Sequence, residues 1–156
     1  MKIVKLQKRD SLFDRAVQVF WQEWGEEDNF SFYYDCMLHS LNTRDHIPSF
    51  YVVMENSEII GTFALIRNDI NSRQDLFPWL ACLYVKEEQR GRAIGSQMLD
   101  YALQEGAKLH LEKLYLTSEL EDYYERYGWD HNGFAYGPTG KKIKVYEKIC
   151  RKEVSK

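Results

Sequence analysis

Residues 79–96 read Trp79-Leu80-Ala81-Cys82-Leu83-Tyr84-Val85-Lys86-Glu87-Glu88-Gln89-Arg90-Gly91-Arg92-Ala93-Ile94-Gly95-Ser96. The first seven are apolar at every position, the pattern of a central strand covered on both faces. Charge ends the run at Lys86. Beyond the polar loop, apolar residues return at Ile94, Met98, Leu99, Ala102 and Leu103, one face of a helix that ends near Gly106. A strand running through a glycine-bearing turn into a helix has a chemical consequence. The helix's first N–H groups lack intrahelical partners and lie at the positive end of its dipole, so an anion can sit there. Gly91 and Gly95 let a phosphate approach the backbone, while Arg90 and Arg92 add charge. The turn is not a P-loop, because no Gly-Lys-Ser/Thr follows, nor a Gly-x-Gly-x-x-Gly dinucleotide turn. Its plain alternative is a surface turn with two solvated arginines.

Working toward the N-terminus, Phe13, Ala16, Val17, Phe20, Trp21 and Trp24 keep helical spacing, with Asp10 or Ser11 as N-cap and Gly25 as terminator. A second helix from about Ser31 carries Tyr34, Met37, Leu38 and Leu41 and stops before Pro48. Residues 49–67 form two β-rich runs joined by Asn56-Ser57, a hairpin, and residues 68–75 form a loop. Toward the C-terminus come a short strand, Leu114-Tyr115-Leu116-Thr117, a helix over residues 119–127 ended by Gly128, and two strands hinged at Gly137-Pro138-Thr139-Gly140. No repeat or linker interrupts the chain. A mixed sheet with helices on both faces, in one domain over residues 1–156, is the packing this order favours.

Composition bounds the function. At 156 residues, 44% hydrophobic and 29% charged, the chain fits one soluble domain of ordinary size. No apolar run reaches the ~20 residues a membrane helix needs, and the N-terminal stretch has no apolar signal region. A net charge of −3 argues against a general nucleic-acid binder. Three cysteines, none in a Cys-x-x-Cys pair, and four scattered histidines offer no disulfide framework and no metal site. The expected setting is the reducing cytoplasm.

A second chemical segment is Tyr123-Tyr124-Glu125-Arg126-Tyr127-Gly128-Trp129. A phenol of pKa about 10 is protonated at neutral pH and can give its proton to a thiolate whose acid titrates near about 8.5. One of these tyrosines is therefore a candidate general acid; the alternative is a tyrosine stripe that packs a short helix against the sheet.

Together these segments resemble the GNAT superfamily of N-acetyltransferases over nearly the whole chain. The family's Arg/Gln-x-x-Gly-x-Gly/Ala motif falls on Arg90 to Gly95, with Ala93, read as helical, in the first glycine slot. The family's tyrosine four residues before a glycine-aromatic pair falls on Tyr124. The resemblance implies an α/β fold: a single-domain, mixed, mostly antiparallel twisted sheet of about seven strands flanked by four helices. It also implies acetyl-CoA as co-substrate, with its pyrophosphate at Arg90, Gly91, Arg92, Ala93, Ile94, Gly95 and Ser96, and its pantetheine arm beside Leu83, Tyr84 and Val85. A backbone N–H of Tyr84 or a neighbour would stabilise the oxyanion. Tyr124 would protonate the leaving thiolate.

Many relatives carry a carboxylate where this strand has Ala81 and Cys82, so the base that deprotonates the amine is unassigned among ordered water, Glu26, Glu27, Asp28 and Asp75. Cys82 reads as an inert core thiol. In this family the first two helices and their loop shape the acceptor side. Here Trp24, Glu26, Glu27 and Asp28 interleave aromatic faces with carboxylates, which suits a cation. The expected acceptor is a small polycationic amine, a polyamine or an aminoglycoside; the alternatives are a protein or peptide amine, or a non-catalytic acyl-CoA-binding domain. Neither metal, nucleic acid nor membrane is expected, and a homodimer is admitted.

Overall fold

The computed structural model describes residues 1–150; the last six residues of the expected 1–156 domain lie outside the described residues. In chain order the elements are β1 (Lys2–Lys5), α1 (Ser11–Trp24), α2 (Phe30–Ser40), β2 (Ser49–Glu55), β3 (Glu58–Ile66), β4 (Trp79–Val85), α3 (Ile94–Lys108), β5 (Lys113–Ser118), β6 (Asp130–Tyr136) and β7 (Lys142–Ile149). The seven strands are hydrogen-bonded in the order β1-β2-β3-β4-β5-β7-β6. β4 and β5 run parallel, with Trp79 opposite Tyr115, whereas β1/β2, β5/β7 and β6/β7 are antiparallel, so the sheet is mixed. Among the described residues no helix is long and apolar enough to cross a membrane.

Two compact units divide the described residues: residues 1–64 with 82–95, and residues 65–81 with those from 96 on. The first unit holds α1, α2, β1, β2 and most of β3. Asp10 caps α1, its Oδ1 accepting from the Phe13 N–H at 2.9 Å, a contact worth about 0.5–2 kcal/mol. The apolar face of α1 (Phe13, Ala16, Val17, Phe20) is buried, and the Tyr51 and Phe63 rings of β2 and β3 stack at 4.5 Å. Asn56 and Ser57 join these strands with φ of 51° and 66°, the two left-handed positions a tight hairpin turn requires.

Gly25 ends α1 for a reason of space. A Cβ there would stand 2.3 Å from Trp21 Cδ1 and 2.6 Å from the Trp21 carbonyl oxygen, which accepts the Gly25 N–H at 2.7 Å. We expect Gly25→Ala to cost about 1–3 kcal/mol, at roughly 2–4 °C of thermal midpoint per kcal/mol for this size. An unchanged melting curve would contradict that.

In the second unit β5 and β7 pair from Lys113 opposite Ile149 to Ser118 opposite Lys144. Trp79, Ala135 and Val145 form a buried cluster with Leu76, Tyr115 and Ile143 packed on it. The loop before β4 is fastened to β6, since the Ser72 N–H donates to Tyr136 O at 2.9 Å and the Tyr136 N–H donates to Ser72 Oγ at 2.8 Å.

The helix expected to end near Gly106 is α3, which ends two residues on, at Lys108. Glycine stands inside the helix because a Cβ would lie 2.6 Å from Cys150 Sγ. Residues 119–127 form no α-helix, only a 3₁₀ turn at Glu125–Tyr127, so the described residues contain three α-helices rather than four. Ser118 Oγ accepts the Leu120 N–H at 3.0 Å, a local bond that competes with the helical ladder. Glu119 and Glu121 are drawn to Lys141 and Lys144, Asp122 takes a left-handed φ of 58°, and a helix would have set Glu121 and Glu125 four apart on one face. A second expectation is corrected as well, because β4 is not covered throughout: Trp79, Leu80 and Ala81 are buried, but Cys82 to Val85 are only half-buried.

Candidate functional site

The half-covered stretch of β4 begins at a bend. Cys82 has φ of 55°, a left-handed backbone rare outside Gly, Asn and Asp. Thr62, fully buried on β3, holds it by donating its Oγ1 hydrogen to Cys82 O at 2.9 Å. Backbone strain of this kind costs about 1–3 kcal/mol and persists where the surroundings enforce it, often at functional sites. Leu83, Tyr84 and Val85 follow, apolar and only partly covered.

β4 then enters a tight turn. Lys86 N–H donates to Ile60 O at 2.8 Å, Gln89 N–H to Lys86 O at 2.8 Å and Arg90 N–H to Glu87 O at 3.2 Å. Arg90 Nε donates to Val85 O at 3.0 Å, folding the side chain back over the strand end. Arg92 makes a two-pronged pair with Glu55, at 2.8 and 2.9 Å, and also meets Gln89. That pairing holds the Glu55 carboxyl below its usual range. Arg92's charge is thereby largely matched, and Arg90 is the arginine with more to offer an anion. Gly91 has φ of 83°, and a Cβ on it would meet nothing within 4 Å. The turn is thus open beside Gly91 and leads into Ile94 and Gly95, the first residues of α3, which fits a phosphate held by backbone donors.

In the same unit, Trp24 is 36% exposed, and its ring meets Tyr84 edge-on, 6.1 Å between centroids. Burial and then Glu23 raise the Tyr84 phenol. Tyr33 of α2 is raised by burial and then by Cys82, Cys36 and Glu26. The loop carrying Glu26, Glu27 and Asp28 is ordered by Asn29, whose Oδ1 accepts from Glu26 N–H at 2.7 Å and Trp21 Nε1 at 3.2 Å. All three carboxylate residues are exposed.

Tyr124 belongs to the second unit. It is 7% exposed, with its ring 5.5 Å from Tyr146 and 6.2 Å from Trp129. Its carbonyl accepts from the Trp129 N–H at 3.1 Å, and Gly128 makes that return with φ of 82°. Burial pushes the phenol up to about 12, with Tyr123 adding to the rise and a hydrogen bond from Ser118 opposing it. Tyr127, by contrast, is 39% exposed.

The profile of the Acetyltransferase (GNAT) family matches residues 13–129. The chain belongs to the GNAT acetyltransferase family. Among solved structures, an aminoglycoside 6′-N-acetyltransferase complexed with coenzyme A superposes with TM-score 0.72 at 16% identity, over 99% of this chain and 100% of that one. The aminoglycoside 6′-N-acetyltransferase from Enterococcus faecium gives 0.71 at 17%, over 99% and 100%. A GNAT family acetyltransferase from Elizabethkingia anophelis with acetyl-CoA bound gives 0.64 at 14%, over 95% and 97%. At such identities these likenesses concern the fold. No curated protein matches the sequence.

For a GNAT acetyltransferase, the site holds features that the sequence hides. Ala93 is not helical: its φ is 59°, so the position demands the conformation for which the family motif carries glycine, at a cost of about 1–2 kcal/mol for alanine. The Cys82 bend has no sequence signal, because cysteine in an apolar run reads as ordinary strand. The carboxylates also separate. Asp75 is clasped by Arg73 through two bonds of 3.0 Å and held below its usual range, which makes it a poor proton acceptor. Asp69, in the same loop, is pushed up to about 6 by burial alone.

Proposed function

We propose that this GNAT acetyltransferase carries the acetyl group of acetyl-CoA to a primary amine on a small cationic acceptor of polyamine or aminoglycoside type. The observation that carries the acceptor class is the Trp24–Tyr84 pair next in sequence to the exposed carboxylates Glu26, Glu27 and Asp28. Aromatic faces and exposed acids together favour a cation, at about 0.5–2 kcal/mol per cation–π contact. The aminoglycoside acetyltransferases among the superposed structures support the same class. Among the described residues Cys36, Cys82 and Cys150 form no disulfide, which suits a cytoplasmic setting.

In this reading the backbone N–H groups of residues 91–96 hold the pyrophosphate, with Arg90 beside them. The backbone of Leu83, Tyr84 and Val85 pairs with the amide-bearing arm. A backbone N–H at the Cys82 bend takes the negative charge that develops on the carbonyl oxygen. The amine nitrogen bonds to the carbonyl carbon as the carbon–sulfur bond breaks, Tyr124 gives its phenolic proton to the sulfur, and the nitrogen surrenders its proton to solvent.

The acceptor is tested by ionic strength. Exposed charges attract a polycation over about 8–10 Å before salt screens them, so KM for spermidine or kanamycin rises with salt while KM for butylamine does not. Each exposed pair is worth about 0.2–1 kcal/mol. Replacing Glu26, Glu27 and Asp28 by Gln, Gln and Asn therefore raises the polycation KM about 3-fold or more and flattens its salt response. Preference for short peptides, or a salt response that the triple variant keeps, would overturn the assignment.

A further inference from the structure

Ser49, Thr62 and Asn71 are polar residues buried among the described ones. Two of them serve their own turns: Ser49 Oγ donates to His46 O, three residues back, and Asn71 Oδ1 accepts from the Arg73 N–H, two residues on. Thr62 differs. Its Oγ1 reaches from β3 to Cys82 O on β4 at 2.9 Å, and the residue is fully buried. A hydroxyl taken out of water carries a cost that only its hydrogen bond offsets. Valine would fill the same place in the strand without that cost, so the hydroxyl points to what it holds.

The bond sets a direction. A peptide unit is planar and trans, so the Cys82 C=O and the Leu83 N–H that share one point opposite ways. Thr62 holds the carbonyl toward β3, and the Leu83 N–H is therefore turned away from β3. The left-handed φ of 55° at Cys82 makes the bend, and the Lys86 N–H, donating to Ile60 O at 2.8 Å, ties β4 back to β3 beyond it. Leu83 lies between these two tethers, half-buried.

We propose that Thr62 is a positioning residue for acetyl transfer: by holding the Cys82 carbonyl, its hydroxyl aims the Leu83 N–H at the acetyl carbonyl oxygen. As the amine nitrogen bonds to the carbonyl carbon, the C=O electron pair moves onto that oxygen and the Leu83 N–H takes up its charge. The pair returns when the carbon–sulfur bond breaks and the sulfur leaves with the bonding electrons. Thr62 and Leu83 keep their own protons, and Thr62 touches neither substrate. This inference rests on the reading of the Cys82 bend as the place where the oxyanion forms.

The test compares Thr62→Val, which removes the hydroxyl at nearly constant volume, with Thr62→Ser, which keeps it. With acetyl-CoA and spermidine or kanamycin, Thr62→Val lowers kcat about 10- to 100-fold, short of the about 10²–10³-fold loss of a whole oxyanion donor. KM for acetyl-CoA stays within about 2-fold, because the arm and pyrophosphate contacts are untouched. Thr62→Ser restores kcat to within about 3-fold of wild type. Should Thr62→Val not fold, Thr62→Ala makes the same comparison. A readout free of turnover is the infrared carbonyl stretch of [1-¹³C]acetyl-CoA bound without amine. A hydrogen bond to the oxygen lowers that stretch, so it lies lower in wild type and Thr62→Ser than in Thr62→Val. Wild-type kcat or an unmoved stretch in folded Thr62→Val, or equal losses in the Val and Ser variants, would overturn the role of Thr62 while leaving amine acetylation in place. If acetyl-CoA binds but no amine is acetylated, the proposed function falls, and the stretch still decides for or against the Thr62 clasp.

Discussion

Tyr124→Phe leaves acetyl-CoA affinity unchanged and lowers kcat about 10²–10⁴-fold, the usual worth of a positioned acid. The substitution removes one hydroxyl and little volume, so the ring keeps its packing on Tyr146 and Trp129. The stability cost is that of one hydrogen bond, about 1 kcal/mol. Tyr123→Phe and Tyr127→Phe serve as controls on the same short segment, Tyr123 half-buried and Tyr127 exposed. They retain activity. Equal losses in all three variants would mean that the tyrosines act only through packing. Because burial holds the Tyr124 phenol up at about 12, it stays protonated throughout the working pH range, and no loss of activity below pH 10 is assigned to its ionisation.

Gly95→Glu separates binding from stability. A carboxylate at the second residue of α3 suits the helix dipole by about 0.3–1 kcal/mol, and replacing a helical glycine gains up to about 1 kcal/mol more in propensity. The same carboxylate stands where the pyrophosphate is proposed to bind. Acetyl-CoA affinity therefore falls more than about 10-fold, over 1.4 kcal/mol, while the thermal midpoint holds or rises. Calorimetry and a melting curve on the same sample read both. Unchanged affinity in a folded Gly95→Glu protein would remove this turn from the site.

How much of this was legible depended on the scale of the interaction. Strand, turn and helix at residues 79–96 and the first helix follow from apolar spacing and from Asp10 and Gly25, because short-range periodicity decides them. Residues 119–127 misled, since their tyrosine spacing looks helical while a single Ser118 hydroxyl captures the Leu120 N–H and two lysines on the last hairpin draw off the acids. The space Gly106 leaves for Cys150, far away in sequence, was not legible. The apolar run of β4 promised cover on both faces, yet cover ends at Cys82, where a fully buried Thr62 holds a left-handed bend. Such long-range choices leave no periodic trace. The family motif pointed to Arg90, Ala93 and Gly95 and to Tyr124, but not to the Arg92–Glu55 pair, the Arg73–Asp75 clasp or the raised carboxyl of Asp69, each set by partners or burial that only the fold supplies.

The most direct test of the central claim is release of free coenzyme A thiol from acetyl-CoA, followed with and without spermidine and kanamycin, with the acetylated product weighed by mass spectrometry. The account predicts thiol release that depends on the amine and matches N-acetylated product one for one. Binding of acetyl-CoA with no amine-dependent release across amines and peptides would contradict it.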